Sequence, residues 1–250
     1  MSANDLISQL NPENLPKHIG IIMDGNGRWA RRRSFPRVEG HRKGAKTVEK
    51  VVSFCRKIRI SALTLYSFSM ENWNRPQLEV DALMTLLDEY INDELERMIK
   101  ENIRFNTIGQ IGNLPQSIQK LVSKAQEMTR ENDGLILTLA LSYGSRNEMV
   151  TAIKEMVKEV QCGLLNLEDI DPQLVSQYLY TSDLPEVDLL IRTGGEYRLS
   201  NFLLWQSAYA ELSFTDVLWP EFNEEQLLEI ILDFQRRERR FGLTEEQIKV

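Results

Sequence analysis

Apolar residues along the chain fall into short runs set between longer amphipathic stretches. The runs at 18–23, 62–68, 103–108, 134–142, 187–191 and 212–218 are rich in Ile, Leu, Val or aromatic residues and end in glycine or polar turns. Runs of that length and composition predict strands. Between them, apolar positions recur with helical spacing at roughly 41–58, 78–101, 115–131, 145–161, 171–179 and 223–240. Such alternation predicts an α/β fold with a mostly parallel central sheet of about six strands, flanked by helices. Open sheets of this kind bind ligands at the carboxyl ends of their strands, so the residues just after each apolar run carry the functional signal.

The first run leads into the most informative segment, HIGIIMDGNGRWARRRSFPRVEGHRKG from His18 to Gly44. Its strand stops at Asp24, then Gly25, Asn26 and Gly27 turn the chain and Arg28 follows. Glycines let backbone N–H groups approach an anion, and Arg28, Arg37 and His41 can surround one with charge. An acid at the mouth of a basic site is poorly placed unless a cation such as magnesium bridges it to phosphate, which gives Asp24 a candidate metal role. The tetrapeptide alone would be an ordinary turn. Its position at a strand end, amid Arg31, Arg32, Arg33, Arg42 and Lys43 in a chain of net charge −7, argues for more. Arg31 to Arg33 themselves read as a solvated basic face.

Two further strand ends show the same habit. SFSMENWNRP, from Ser67 to Pro76, leaves Ser69, Asn72, Trp73 and Arg75 in a polar loop, with Trp73 as a candidate apolar lid. DLLIRTGGEYRLSNFLLWQ, from Asp188 to Gln206, places Arg192 at a strand end and Arg198 and Ser200 after a double glycine. Two guanidinium forks and a hydroxyl form a candidate second anion site.

Composition narrows the class. With 250 residues and 42% hydrophobic content, the chain is expected to form one domain over 1–250, with a polar lead at 1–15 and a tail at 240–250. The absence of a long apolar stretch and the polar first residues predict a cytoplasmic protein. Cys55 and Cys162 are isolated, which argues against a disulfide or zinc framework. The acidic balance argues against nucleic acid as a partner. No P-loop or dinucleotide fingerprint is present, so two anion sites and one acid point to diphosphate chemistry.

Taken together, HIGIIMDGNGRWA, GHRKGA, SFSMENWNRP, IRTGGEYRLSNFLLWQ and AYAELSFTDVLWPEF resemble the cis-prenyltransferase family from Pro16 to Gly242, most closely its bacterial members that make undecaprenyl diphosphate. The resemblance implies an enzyme that adds isopentenyl diphosphate units to farnesyl diphosphate, giving a long-chain Z-polyprenyl diphosphate for the lipid carrier of cell-wall synthesis. It implies Mg2+ held by Asp24, and a primer diphosphate cradled by Gly25, Asn26, Gly27, Arg28, Trp29, Arg37 and His41. Ser69, Asn72, Trp73 and Arg75 match a further substrate motif, with Asp24 and Asn72 as catalytic candidates. Arg192, Arg198 and Ser200 match the site for the second diphosphate. The acceptor of the proton stays open among Asp24 with Asn72 or Ser69 and the released diphosphate. The family further implies a homodimer in which Glu211 is associated with the metal and Arg240 and Gly242 reach the partner's site. A hydrophobic tunnel for the product is expected along Ser67, Leu83, Leu86, Leu87, Ile103 and Leu135. A lipid product implies peripheral contact with a membrane.

The sequence departs from the family's habit at Ser34 and Ser145, where glycine is usual, at Gln110, where an acid is usual, and at Ser67, where alanine is common. Ser145 raises the expectation of a strained left-handed turn. Two other classes compete: a catalytically silent partner subunit, which the intact Asp24–Arg28 loop opposes, and a metal-dependent phosphate hydrolase, which lacks a second acid or nucleophile beside Asp24. A trans-prenyltransferase would need an all-helical fold and an aspartate-rich motif that is missing.

Overall fold

The computed structural model describes residues 7–238. Six strands form one sheet: β1 (His18–Ile22), β2 (Ala62–Ser69), β3 (Arg104–Ile108), β4 (Ile136–Tyr143), β5 (Leu189–Arg192) and β6 (Glu211–Phe214). Their spatial order is β3-β4-β2-β1-β5-β6, and every neighbouring pair is parallel. Seven α-helices connect or flank them: α1 (Asn26–Arg32), α2 (Arg37–Lys57), α3 (Gln77–Lys100), α4 (Gln116–Met128), α5 (Ser145–Gln161), α6 (Pro172–Gln177) and α7 (Glu224–Arg236). The expected single-domain parallel α/β architecture is therefore the observed one.

From β1 the chain passes through β2 to the edge strand β3, comes back between β3 and β2 as β4, then crosses to the other side of β1 as β5. The reversal puts a crevice at the carboxyl ends of β1 and β5, where doubly wound sheets bind ligands. Ile19 and Ile21 of β1 and Leu63 and Leu65 of β2 are fully buried in the larger core cluster, which also holds Val51 of α2, Ile91 of α3 and Ile231 of α7. Each such side chain contributes about 1.5–3 kcal/mol of burial free energy. The alternate positions, Ile22, Ala140 and Leu190, pack with Phe202 and Leu203 in a second cluster, as the period of two along a strand requires.

The deviations from the expected boundaries have physical causes. Helix α2 starts at Arg37 rather than 41, directly after Pro36, and runs through Gly40 and Gly44. A Cβ on Gly40 would lie 2.0 Å from the Asn26 carbonyl oxygen, and one on Gly44 2.4 Å from Asn26 Oδ1. Tight contact with α1 thus overrides the poor helix propensity of glycine. Strand β6 stops at Phe214 instead of 218, because the next residues leave the ladder to hydrogen-bond the loops. Gly195 N–H donates to the Thr215 carbonyl, Gly194 N–H to Val217, and Trp219 N–H to Asp24, at 2.8 to 3.0 Å.

Ser145 is not strained. It opens α5, its N–H donates to the Asn201 carbonyl at 2.8 Å, and its hydroxyl accepts from Leu204 N–H at 3.0 Å. Of the two serines where glycine is usual, Ser34 is the left-handed one, with φ of 58°. Both thiols are free, Cys55 buried and Cys162 exposed, and burial pushes the Cys55 thiol up to about 12.

Candidate active site

Strand β1 delivers Asp24 two residues past its end, and Gly25 then turns the chain with φ of 112°, a conformation that L side chains rarely adopt. Helix α1 follows at once, so Arg28 lies one turn from Asp24 and its Nη2 approaches Asp24 Oδ1 at 3.2 Å. From the adjacent β5, Arg192 donates to Asp24 Oδ2 at 3.0 Å and to Ser200 Oγ at 2.6 Å, and also reaches the Arg198 carbonyl. Its side chain is only 5% exposed, so this charge is held in one place by its partners.

A cavity of about 720 Å³ opens over these strand ends. Asp24, Asn26, His41, Ser69, Asn72, Arg75, Arg192, Arg198 and Ser200 form its polar end. Ser67, Leu83, Leu86, Leu87 and Tyr90 extend it as an apolar wall between β2 and α3. Ser67 gains its place through a bulge: Tyr66 pairs with Ala140 and Phe68 with Leu141, leaving Ser67 as the extra residue. Bulges commonly re-aim a side chain beside a site in this way.

Acids occupy the remaining cations. Glu79 pairs with Arg75 at 3.0 Å and with Arg37 at 3.5 Å, while Glu196 pairs with Arg28 at 3.6 Å and contacts Arg198. Sequence reasoning misses Glu79, because Arg75 lies in extended backbone before Pro76 and the helix begins only at Gln77, so no helical spacing flags the pair. The guanidinium of Arg37 lies against Gly27. His41 is largely buried, and burial, then the charge of Arg75, lowers its imidazole to about 4. Its Nε2 and Asn26 Oδ1 are buried without a hydrogen-bond partner among the described residues. An orphan nitrogen and an orphan carbonyl oxygen beside a basic cavity suit a polar ligand with both acceptors and a cation.

Trp73 is fixed instead of free to swing as a lid: its Nε1 donates to Ser142 Oγ at 2.9 Å and its ring meets Phe68 edge-on at 4.9 Å. Trp29 lies off the cavity, under Arg33 and beside Phe35. Ile103 and Leu135, expected on the tunnel, are buried in the main core and do not line the cavity. Both precede their strands, at the opposite end of the sheet from Asp24. Glu211 begins β6 opposite Leu189 and bridges Arg237 at 2.8 Å, so within one chain it stands apart from Asp24. Arg240 and Gly242 lie outside the described residues. Asn201 emerges as an unpredicted organiser: its side chain accepts from Arg146 N–H at 2.8 Å and donates to Glu71 at 3.0 Å, joining the loops after β2, β4 and β5.

Among the described residues no three metal-binding side chains cluster. The Asp24 carboxylate, held here by Arg28 and Arg192, is of the donor type that magnesium takes when phosphate oxygens and water complete its shell.

A family model described as "Putative undecaprenyl diphosphate synthase" matches residues 22–242. The isoprenyl transferase of Geobacter sulfurreducens is 51% identical over 239 residues, covering 96% of this chain and 97% of its own, and that of Bacillus subtilis is 50% identical over 228 residues, covering 91% and 88%. The chain belongs to the cis-prenyltransferase family. It is a prenyl-transferring enzyme. Among solved structures, lavandulyl diphosphate synthase from Lavandula x intermedia in complex with dimethylallyl diphosphate superposes with a TM-score of 0.89 at 35% identity, covering 92% of this chain and 99% of that one. A probable undecaprenyl diphosphate synthase from Campylobacter jejuni gives 0.76 at the same identity and coverage. The cis-prenyltransferase fold thus places the Asp24 loop and the Arg192 loop side by side, as the strand order requires.

Proposed function

We propose that this cis-prenyltransferase condenses isopentenyl diphosphate repeatedly onto farnesyl diphosphate and releases a Z-polyprenyl diphosphate of undecaprenyl length. The observation that carries the reading is one cavity with two cationic groups meeting at Asp24 and an apolar wall leading away from them. The related synthase whose structure contains dimethylallyl diphosphate supports an allylic diphosphate as primer.

In this reading Arg28, the α1 backbone and His41 hold the primer's diphosphate, while Arg192, Arg198 and Ser200 hold that of isopentenyl diphosphate. Charge-assisted bonds from guanidinium groups contribute roughly 1.5–3 kcal/mol each. Holding both substrates over one strand end replaces a bimolecular encounter by a positioned one. As the allylic carbon–oxygen bond breaks, the arginines stabilise negative charge growing on the leaving diphosphate. The carbocation is attacked by the double bond of isopentenyl diphosphate, and the proton then lost from its neighbouring carbon is taken by the released diphosphate or by Asp24 with Asn72 or Ser69. Asp24, with the primer's diphosphate oxygens, would hold Mg2+, which when bound supplies further charge stabilisation to the leaving group. The growing chain lies along Leu83, Leu86, Leu87 and Tyr90, each methylene contributing about 0.8 kcal/mol of burial.

The enzyme acts as a homodimer in the cytoplasm, touching membranes peripherally. Val150, Ile153 and Val157 support the dimer: they form a helical stripe on α5, each at least half exposed. Glu211, Arg240 and Gly242 then serve the partner's site.

The test is incubation with farnesyl diphosphate, labelled isopentenyl diphosphate and Mg2+, with products sized by reverse-phase chromatography. A ladder ending near eleven isoprene units, abolished by EDTA and in Asp24→Ala, is expected. Arrest after one or two additions would replace the long-chain reading, and no incorporation with any allylic primer would overturn it.

A further inference from the structure

The basic run that the cavity does not use forms a surface of its own. Between Arg31 and Lys43 the chain carries six lysines and arginines against one acid, Glu39, in a protein of net charge −7. Arg31 to Arg37 are all exposed. Arg33 pairs with Glu221, Arg37 with Glu79 and Arg42 with Glu39, but Arg31 and Arg32 form no ion pair among the described residues. Arg31 and Arg32 thus present charge of the sign opposite to the protein's net charge, open to an anionic partner.

An apolar residue sits at its centre. Phe35 is 51% exposed on the turn between α1 and α2. The turn is rigid: Arg33 N–H and Phe35 N–H both donate to the Ala30 carbonyl, and Ser34 adopts the left-handed conformation that this requires. Holding a non-glycine residue there costs free energy. The result is a phenylalanine raised among arginines, backed by the Trp29 ring at 6.2 Å. The Arg37–Glu79 bridge joins this turn to the first turn of α3, where Leu78 is 86% exposed. Two exposed hydrophobic residues thus lie on one edge of the molecule either side of this bridge, Phe35 two positions before Arg37 and Leu78 one before Glu79.

We propose that this edge, with Arg31, Arg32, Phe35 and Leu78 at its front, docks onto the surface of an anionic lipid bilayer. Arginines face the lipid headgroups while Phe35 and Leu78 enter the boundary with the acyl chains. Raised apolar tips fit a bilayer better than the polyanionic backbone of a nucleic acid, which gains nothing from burying Leu78. This surface deepens the peripheral membrane contact proposed above and rests on it for its purpose, delivery of a long hydrocarbon product beside its destination. Binding itself can be read without substrates, so the two readings fail separately.

The experiment is flotation of the full chain with vesicles of phosphatidylcholine alone or of phosphatidylcholine and phosphatidylglycerol at 7:3, at low and high salt. The chain is expected to float with the mixed vesicles only, and to be released by salt. Arg31→Ala/Arg32→Ala should weaken the partition by about 30-fold, from the typical contribution of a basic residue near an anionic surface. Phe35→Ser should weaken it with the salt dependence unchanged. Prenyl transfer with short, soluble substrates should be retained in both variants, which reports that they fold. The proposal is overturned if the chain stays with the soluble fraction, if it binds both vesicle types alike, or if folded variants partition like the parent.

Discussion

Arg192 at the end of β5 and Asp24 beyond the end of β1 meet at 3.0 Å, joining the two loops that the strand order brings side by side. Neither residue is near the other in sequence, and the contact ties together the two proposed diphosphate sites. The guanidinium orients the Asp24 carboxylate and, through its other nitrogen, fixes Ser200 and the backbone of Arg198.

Arg192→Ala should therefore damage both sites at once. Two or three charge-assisted bonds at roughly 1.5–3 kcal/mol each predict a loss of at least ~100-fold in kcat/KM. Arg192→Lys keeps the charge but not the fork, so it should recover only a small part of that activity. Steady-state kinetics with each diphosphate varied in turn, beside an unfolding curve for each variant, is the check. Wild-type kinetics in a folded Arg192→Ala would remove this residue from the site.

His41 gives a pH signature. Burial, followed by the charges of Arg75 and Arg37, lowers its folded value to about 4 from 6.5, although Glu79 opposes the shift. Between those two values the unfolded chain binds the proton and the folded chain does not, so stability rises with pH across this window and is lost on acidification. Full loss corresponds to roughly 3 kcal/mol by linkage. His41→Gln should flatten the urea-unfolding free energy between pH 6.5 and 4 by an amount of this order, with no difference above pH 7. Inorganic pyrophosphate at the site should raise the imidazole value, read from its ring protons by NMR, because an anion favours the charged form.

The strand ends were legible because their signals are local: Asp24, Arg75 and Arg192 each follow an apolar run, and the alternation of strand and helix predicts that such ends converge. What escaped was set by contacts between distant segments. Gly40 and Gly44 look like helix breakers until Asn26 is seen pressed against them, so the start of α2 was placed four residues late. Residues 215–218 look like strand, yet their backbone serves the loops after β1 and β5. Glu79 and Glu196 look like ordinary surface acids, and only the folded chain shows them bridging the arginines of the cavity. Apolar patterning could not separate Leu86, on the cavity wall, from Ile103, in the core, since a helix position lining a cavity and a strand-run position packed in a core are both simply apolar in sequence.

That last distinction yields a prediction with two separable readouts. Leu86 and Leu87 are only partly buried and face the cavity, whereas Ile103 is fully buried in the main core. Leu86→Trp adds bulk where the product is proposed to lie, so it should shift the product ladder to shorter chains with only a small change in stability. Ile103→Ala leaves a void in a packed core and should cost about 2–5 kcal/mol in urea unfolding while the ladder keeps its length. Chromatographic sizing of products and denaturant curves on the same two variants decide the matter. A shortened ladder in Ile103→Ala, or an unchanged one in Leu86→Trp, would place the growing chain elsewhere than between β2 and α3.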